Sequence, residues 1–410
     1  MASLPPDARL LFASRFVRLF AYGALSVVLV FYLVGLGLSE AQTGLLLTLT
    51  LAGDTLVSLV LTTQADRVGR RRMLIAGAVL MAAAGVAFAL TANFVLLVVA
   101  GTIGVISPSG NEVGPFLPIE QAALSQVVPD RDRTNVFAWY ALSGALATAL
   151  GALSAGTLTQ ALQQSVASPV DSYRFIVVLY AVAGIALGAL FLRIGPNAEA
   201  PRRASPAART SFEGLAGIGP QSRAVVLKLS ALFALDSFGG GFVIQSLAAY
   251  WFYLRFGVEP KTLGVLFFGA NVLAGLSALV AARIANRIGL LNTMVVTHLP
   301  SNVLLILVPL MPTLPLAALV LLARFSISQM DVPTRQSYTM AVVAPEERSA
   351  AAGITGIART TGAALSPMIA GYLFTHPALI DVPFYVAGGL KIVYDLLLYK
   401  AFRDTARTER

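Results

Sequence analysis

Among the carboxylates inside long apolar stretches, four stand out. They are Asp54 in Ala52-Gly-Asp-Thr55, Glu112 in Ser107-Pro-Ser-Gly-Asn-Glu-Val-Gly-Pro115, Asp236 ahead of Ser237-Phe-Gly-Gly-Gly241, and Asp331. Arg15, Arg18, Arg324, Arg335, Arg359 and His298 have similar surroundings. Charge is expensive in hydrocarbon, so such groups face a water-filled cavity or a partner. A carboxylate there can exchange a proton, and a guanidinium can hold an anion. Asp54, Asn111, Glu112, Asp236, Asp331 and Arg359 are therefore the candidate substrate or proton sites. Each has a plainer reading beside it. Asp331 and Arg335 are four apart on a helix and can neutralise each other. Glu112 can satisfy loose backbone amides, Asp236 can pair with Arg15 or Arg18, and Arg359 can bridge to the second or tenth apolar stretch. His298, a lone imidazole, reads as structural. With two histidines in the chain, no Ser/His/Asp set, metal-spaced cluster or cofactor loop is present. No enzyme, metal or cofactor is expected.

These residues need elements to hold them. Apolar residues make up 57% of the 410 and charged ones 12%, about half the usual soluble share. A bilayer crossing takes roughly 20 apolar residues. Twelve spans are expected, near 11–35, 41–64, 73–91, 94–127, 134–160, 173–193, 223–254, 262–284, 293–311, 314–342, 350–374 and 382–400. Backbone groups within lipid must be satisfied inside the segment, so the spans are helices. The fourth contains two Pro and two Gly in nine residues, from Ser107 to Pro115, and should break or kink there. The stretch 10–38 is too long for a signal peptide and lacks a cleavage site, so it is expected to remain as the first span. The chain has no cysteine, hence no disulfide.

The net charge of +9 is not a nucleic-acid signal. Arg67, Arg70, Arg71 and Arg72 follow the second span, Arg131 and Arg133 the fourth, and Lys400, Arg403, Arg407 and Arg410 the twelfth. Arg193, Arg202, Arg203, Arg209 and Arg223 surround the loop after the sixth. The alternate loops are nearly free of them, apart from Arg174, Arg255 and Lys261. Cytoplasmic loops carry the excess of Lys and Arg, which places both termini in the cytoplasm.

The chain also repeats itself. Pro118, Gln121 and Arg133 recur at a shift of 215 as Pro333, Gln336 and Arg348, and Ala155-Gly-Thr-Leu158 recurs as Ala370-Gly-Tyr-Leu373. A shift of 220 aligns Gly44 with Gly264 and Ala65-Asp-Arg-Val-Gly69 with Ala285-Asn-Arg-Ile-Gly289. An apolar chain of two similar halves is the mark of a secondary transporter. The division is residues 1–194, a Pro/Ala/Ser/Gly/Arg-rich linker at 195–221, and 222–410. Glu120 and Arg335 occupy matching positions with opposite charge, so a gating bridge between the halves is one expectation. Local pairing of Arg335 with Asp331 is the other.

The loop after the second span, Thr62-Thr-Gln-Ala-Asp66-Arg67-Val-Gly69-Arg70-Arg71-Arg72, resembles the G-x-x-x-D-R-x-G-R-[KR] signature of the major facilitator superfamily. Thr62 replaces the first Gly, and Asn286-Arg287-Ile-Gly289 is a degenerate second copy. Similarity to the drug/proton antiporter branch is partial. Gly151-Ala-Leu-Ser-Ala-Gly156 lacks the Pro of its fifth-span motif, and Gly362-Ala-Ala-Leu-Ser-Pro367-Met-Ile-Ala-Gly371 is a nearer echo in the eleventh. The resemblance implies an all-α membrane protein of twelve transmembrane helices in two pseudo-symmetric six-helix bundles. It implies gating roles for Asp66, Arg67, Gly69 and Arg70, with Asp66 pairing at the cytoplasmic face near the eleventh helix, and Glu120 and Arg335 join this set. The expected protein moves a small organic solute by alternating access, as a monomer in a bacterial cytoplasmic membrane. Its partners are the solute, protons and the bilayer. Export is the first reading and uptake or facilitated passage of a polar metabolite the alternative. A sensor of transporter fold or a membrane-embedded enzyme is more remote.

Overall fold

The computed structural model describes residues 4–165, 168–199, 218–344 and 347–403. Among these there is no strand. The helices are α1 (Pro6–Gly35), α2 (Glu40–Val68), α3 (Arg70–Leu90), α4 (Phe94–Ile103), α5 (Phe116–Val127), α6 (Asp130–Ser165), α7 (Pro169–Leu192), α8 (Pro220–Gly241), α9 (Gln245–Phe256), α10 (Pro260–Ile288), α11 (Leu290–Leu307), α12 (Leu314–Phe325), α13 (Asp331–Ala341), α14 (Arg348–Phe374) and α15 (Val382–Phe402). The protein is all-α, as the apolar runs require. The expected fourth span is interrupted between α4 and α5, where the Pro and Gly cluster lies. The seventh is interrupted between α8 and α9, after three consecutive glycines, and the tenth between α12 and α13.

Nine helical stretches among the described residues are long and apolar enough to cross a membrane. The interrupted fourth and tenth spans are not among them, because α4 and α12 are short apolar helices. Neither is α14, which is rich in Thr, Gly and Ser and carries Arg359.

The chain forms two compact units, Met1–Ala208 with Gln245–Phe268, and Arg209–Ile244 with Gly269–Arg410. This differs from the sequence division in one place, since α9 and the start of α10 group with the first unit. Gln245 Nε2 donates to Ser26 Oγ at 2.8 Å, the Ser246 amide donates to the Pro108 carbonyl at 3.2 Å, and Tyr250 donates to Glu40 at 3.0 Å. Phe31 meets the rings of Tyr250 and Tyr253 edge-on. Residues 200–217 of the expected linker lie outside the described residues.

Each unit repeats one packing plan. In the first, α1 packs on α6 and α7, and α3 on α7. In the second, α8 packs on α14 and α15, and α11 on α15. The closest approaches use residues without a side chain, as helices in lipid do. A Cβ on Gly23 of α1 would fall on the Thr148 carbonyl of α6, and one on Gly362 of α14 on the Ala234 carbonyl of α8. The two copies of the loop motif also share a backbone turn. Gly69 opens α3 at φ 118°, and Gly289 opens α11 at φ 86°. Only glycine takes that region without strain.

Candidate functional site

The interruption of the fourth span is held open by named partners. Gly110 and Gly114 have φ of 70° and 77°. The buried Asp54 carboxylate on α2 accepts the Gly114 amide at 2.6 Å. Carbonyls freed by the break are taken up by tyrosines. Tyr180 of α7 donates to Val105 at 2.6 Å, and Tyr22 of α1 donates to Val113 at 3.3 Å. The Ser107 hydroxyl donates to the Asn111 carbonyl at 2.8 Å, while the side of Asn111 is exposed. Irregular backbone at membrane depth survives only where protein or water satisfies it.

Beside the break lies an ionic cluster. Arg18 Nη1 and Nη2 donate to the two Glu120 oxygens, each at 2.7 Å, with both side chains wholly buried. Ser14 Oγ donates to Glu120 at 2.8 Å and Tyr140 donates to its other oxygen. Glu112 lies 2.6 Å from Arg15 Nη1 and 3.2 Å from Arg18. Arg15 also stacks over Tyr140 at 4.4 Å and Arg18 over Phe116 at 4.7 Å. Two guanidiniums and two carboxylates balance in charge. Asp54, by contrast, has no salt bridge among the described residues.

The second unit holds a larger buried cluster. Arg335 Nη1 sits 3.1 Å from Asp236 and 2.9 Å from Asp331. Lys391 Nζ donates to Asp236 at 2.6 Å. His298 lies between carboxylates, Nδ1 at 2.8 Å from Asp395 and Nε2 at 3.7 Å from Asp236, and Asn302 donates to Asp395 at 3.0 Å. One ligand atom from each of Asp236, His298 and Asp331 falls within 4.8 Å of the others, a spacing that can hold a metal ion. Arg335 and Lys391 already balance those two carboxylates at hydrogen-bond distance, so a cation would be added against two fixed positive charges.

Several expected pairings resolve differently. Arg15 and Arg18 serve Glu112 and Glu120, and Asp236 is served by Lys391 and Arg335. Glu120 and Arg335 each find partners inside their own unit, and the local Asp331–Arg335 pair forms. Asp66 is exposed and accepts from Arg70 Nε at 2.9 Å. Arg70 is the buried hub of the loop motif. Its Nη1 reaches the carbonyls of Ala122 and Ala198, each at 3.2 Å, and its amide donates to Glu199 at 2.7 Å. Arg71 donates its amide to the same carboxylate at 3.1 Å, so Glu199 caps α3. Arg67 is exposed. Arg359 is half-buried in α14 with no salt bridge among the described residues.

Sequence reasoning passed over Lys391, Asp395, Asn302, Ser14 and Glu199. A signal existed for the first three. Lys391 and Asp395 are charges four apart in an apolar run, and Asn302 lies four beyond His298. Residues with that spacing share a helix face.

Two helical units with one packing plan, and charge buried beside interrupted helices, define a membrane transport protein. The Major Facilitator Superfamily model matches residues 11–330 and 231–410. A relative in Saccharomyces cerevisiae, an uncharacterised membrane protein, is 30% identical over 96% of this chain and 93% of its own length. The chain belongs to the Major Facilitator Superfamily, and it is a transporter rather than an enzyme. Solved structures share the fold at low identity. The nucleoside transporter NupG matches with TM-score 0.78 at 12% identity, covering 97% of this chain and 100% of that one. A bacterial homologue of the human lysosomal transporter Spinster, inward-facing and unoccupied, matches with TM-score 0.70 at 17%, covering 96% and 94%. A D-xylose–proton symporter matches with TM-score 0.70 at 15%, covering 96% and 97%.

Proposed function

We propose that this transporter is a proton-coupled secondary carrier that moves a small organic solute by alternating access. It acts as a monomer of twelve spans in the cytoplasmic membrane, with both termini on the cytoplasmic side. The observation that carries proton coupling is the contrast between Asp54 and its neighbours. Glu112 and Glu120 are matched by Arg15 and Arg18, whereas Asp54, among the described residues, accepts the Gly114 amide at 2.6 Å and has no cationic partner. Of these three carboxylates, its charge is the one that a proton, rather than an arginine, can cancel. It also anchors the interrupted backbone, so protonation would loosen the Gly114 contact and couple proton uptake to the break. Glu112 and Asn111 border the same break, which supports assigning them to the substrate path. Asp66, Arg67, Gly69 and Arg70 form the gating loop.

Export is supported by the partial antiporter motif at Gly362–Gly371 and is the direction proposed. Uptake of a polar metabolite is the second reading, favoured by the absence of the Pro from Gly151–Gly156. The test begins with a ligand-stabilisation screen of the purified chain, because a ligand that binds the folded state raises Tm. Hits are then carried into proteoliposomes with an imposed pH gradient. Solute accumulation driven by the gradient, with matching proton movement, is the expected result. Counterflow that ignores the gradient would overturn proton coupling and leave facilitated passage. The sign of the effective gradient decides direction.

A further inference from the structure

Asp395 on α15 is wholly buried, and among the described residues no lysine or arginine forms a salt bridge with it. Lys391 and Arg335 are taken by Asp236 and Asp331, two cations against two carboxylates. Asp395 has His298 of α11 instead, whose Nδ1 lies 2.8 Å from one carboxylate oxygen, and Asn302, whose Nδ2 donates to the other at 3.0 Å. The far side of the same ring faces a second acid, with His298 Nε2 3.7 Å from Asp236 on α8. Tyr394 of α15 packs edge-on against the ring at 5.8 Å. The other charged or titratable groups on the helices around this core are Asp331 and Tyr338 on α13, Arg324 on α12 and Arg359 on α14. Among the described residues, none of them forms a salt bridge with Asp395 or His298.

A ring set between two carboxylates has acceptors for two N–H groups. The imidazolium carries two and the neutral ring one. With a proton bound, Nδ1–H donates to Asp395, Nε2–H points at Asp236, and the buried Asp395 is balanced in charge. Without it one ring nitrogen is bare and Asp395 has no counter-charge, a costly state for a buried carboxylate. Asn302 is placed to serve that second state. Its Nδ2 lies 3.1 Å from Nδ1 as well as 3.0 Å from Asp395, so the amide can donate to whichever is left unserved. Arg335 keeps its proton permanently, whereas imidazole is the side chain that exchanges one near neutral pH. His298 and Asp236 keep slight exposure, while Asp395 and Asn302 keep none. A proton from water therefore arrives at Nε2 and balances charge at Asp395 across the ring.

We propose that His298 and Asp395, assisted by Asn302, form a proton-binding site in the second unit that takes up and releases one proton as a pair. The proton comes from solvent water and returns to it, and the only bond made or broken is the ring N–H. The pair, not either residue alone, is the unit that titrates. The site extends the proton-coupled reading and does not depend on Asp54. It joins α11 to α15 and, through Asp236, to α8, and α15 packs on both of the others. The presence of one proton is thus registered by three helices at once.

The test uses the full chain in detergent, labelled with 15N-histidine, and reads the ring nitrogen shifts from pH 5 to 10. EDTA is present so that no metal competes for the ring. The chain has two histidines, and the exposed His376 serves as the internal reference. His376→Gln assigns the two rings. In wild type, His298 should still carry two N–H groups at a pH where His376 has lost one, and should then lose a single proton within the range. Asp395→Asn keeps the shape but removes the charge, and should weaken the ring's proton affinity at least tenfold. Asp54→Asn should leave the His298 transition in place. A His298 ring that does not change from pH 5 to 10 overturns the proposal. So does release at or below the pH at which His376 releases, an Asp395→Asn titration that matches wild type, or loss of the transition in Asp54→Asn. If Asp395→Asn does not fold, the comparison of the two rings in wild type decides alone. The readout needs no flux. Normal gradient-driven flux in Asp54→Asn would remove Asp54 from the proton path, while the His298–Asp395 site stands or falls on its own spectra.

Discussion

Arg18 and Glu120 form a two-pronged ion pair with both side chains wholly buried, each guanidinium nitrogen 2.7 Å from its own carboxylate oxygen. The repeat reverses its polarity. Glu120 lies 215 positions before Arg335, and Arg335 holds Asp236 on α8, the helix that takes the place of α1 in the second unit. In each unit the first helix is tied to the segment after a helix interruption by one buried salt bridge, with acid and base exchanged.

This predicts where a charge swap will succeed. Glu120→Gln leaves Arg18 with only the longer Glu112 contact and should cost about 3 kcal/mol, the scale for breaking a buried pair from one side. Arg18→Glu alone should be at least as harmful. The combined Arg18→Glu/Glu120→Arg variant should regain part of the loss in Tm, whereas Glu120→Arg/Arg335→Glu should regain none. A rescue by the second combination would restore the bridge between the halves and count against pairing within each unit.

The Asp54–Gly114 contact separates structure from proton chemistry. Asp54→Ala removes the acceptor for a buried amide and should cost about 1–3 kcal/mol. Asp54→Asn keeps an oxygen for that amide but cannot exchange a proton. It should therefore melt near wild type while losing gradient-driven flux in proteoliposomes. Normal gradient-driven flux in Asp54→Asn would remove Asp54 from the proton path.

The helical class, the repeat and the weak point of the fourth span were legible because they depend on composition and local backbone chemistry. Two Pro and two Gly between Ser107 and Pro115 forbid a continuous helix whatever surrounds them. Partner choice was not legible. Arg18 could be placed in a span but not rotated towards Glu120 in preference to Asp236, since that depends on which helices meet and at what depth. Lys391 went unremarked because a single Lys in an apolar run looks like a span boundary until Asp236 is seen 2.6 Å away. The α9 grouping was missed for a similar reason. Its contacts, through Gln245 and Tyr250, cross more than two hundred residues of sequence.

Glu199 offers a prediction outside the helices. It takes the amides of both Arg70 and Arg71 at the start of α3, while Gly69 supplies a backbone at φ 118°. Glu199→Ala should cost about 1 kcal/mol, as loss of a helix cap does. Gly69→Ala should cost about 1–3 kcal/mol from backbone strain. Thermal melts check both, and Gly69→Ala melting as wild type would show that the loop accepts an ordinary residue.

The α1–α6 contact gives the last prediction. Gly23 faces the Thr148 carbonyl so closely that a methyl group has no room, and the obstacle is backbone that cannot rotate away. Gly23→Ala must therefore part the two helices. The polar residues carried on their facing surfaces, Arg15 and Arg18 on α1 and Tyr140 on α6, would shift with them. Overpacking of this kind costs about 1–3 kcal/mol. Gly188 on α7 is the control, because a Cβ there meets nothing within 4 Å. Gly188→Ala should be neutral or raise stability by up to about 1 kcal/mol, the helix-propensity difference between the two residues. If the close packing also sets the Arg18–Glu120 geometry, Gly23→Ala should lower Tm further in wild type than in Glu120→Gln, where that pair is already lost. Equal losses in the two backgrounds would show that the contact holds the helices without holding the ion pair.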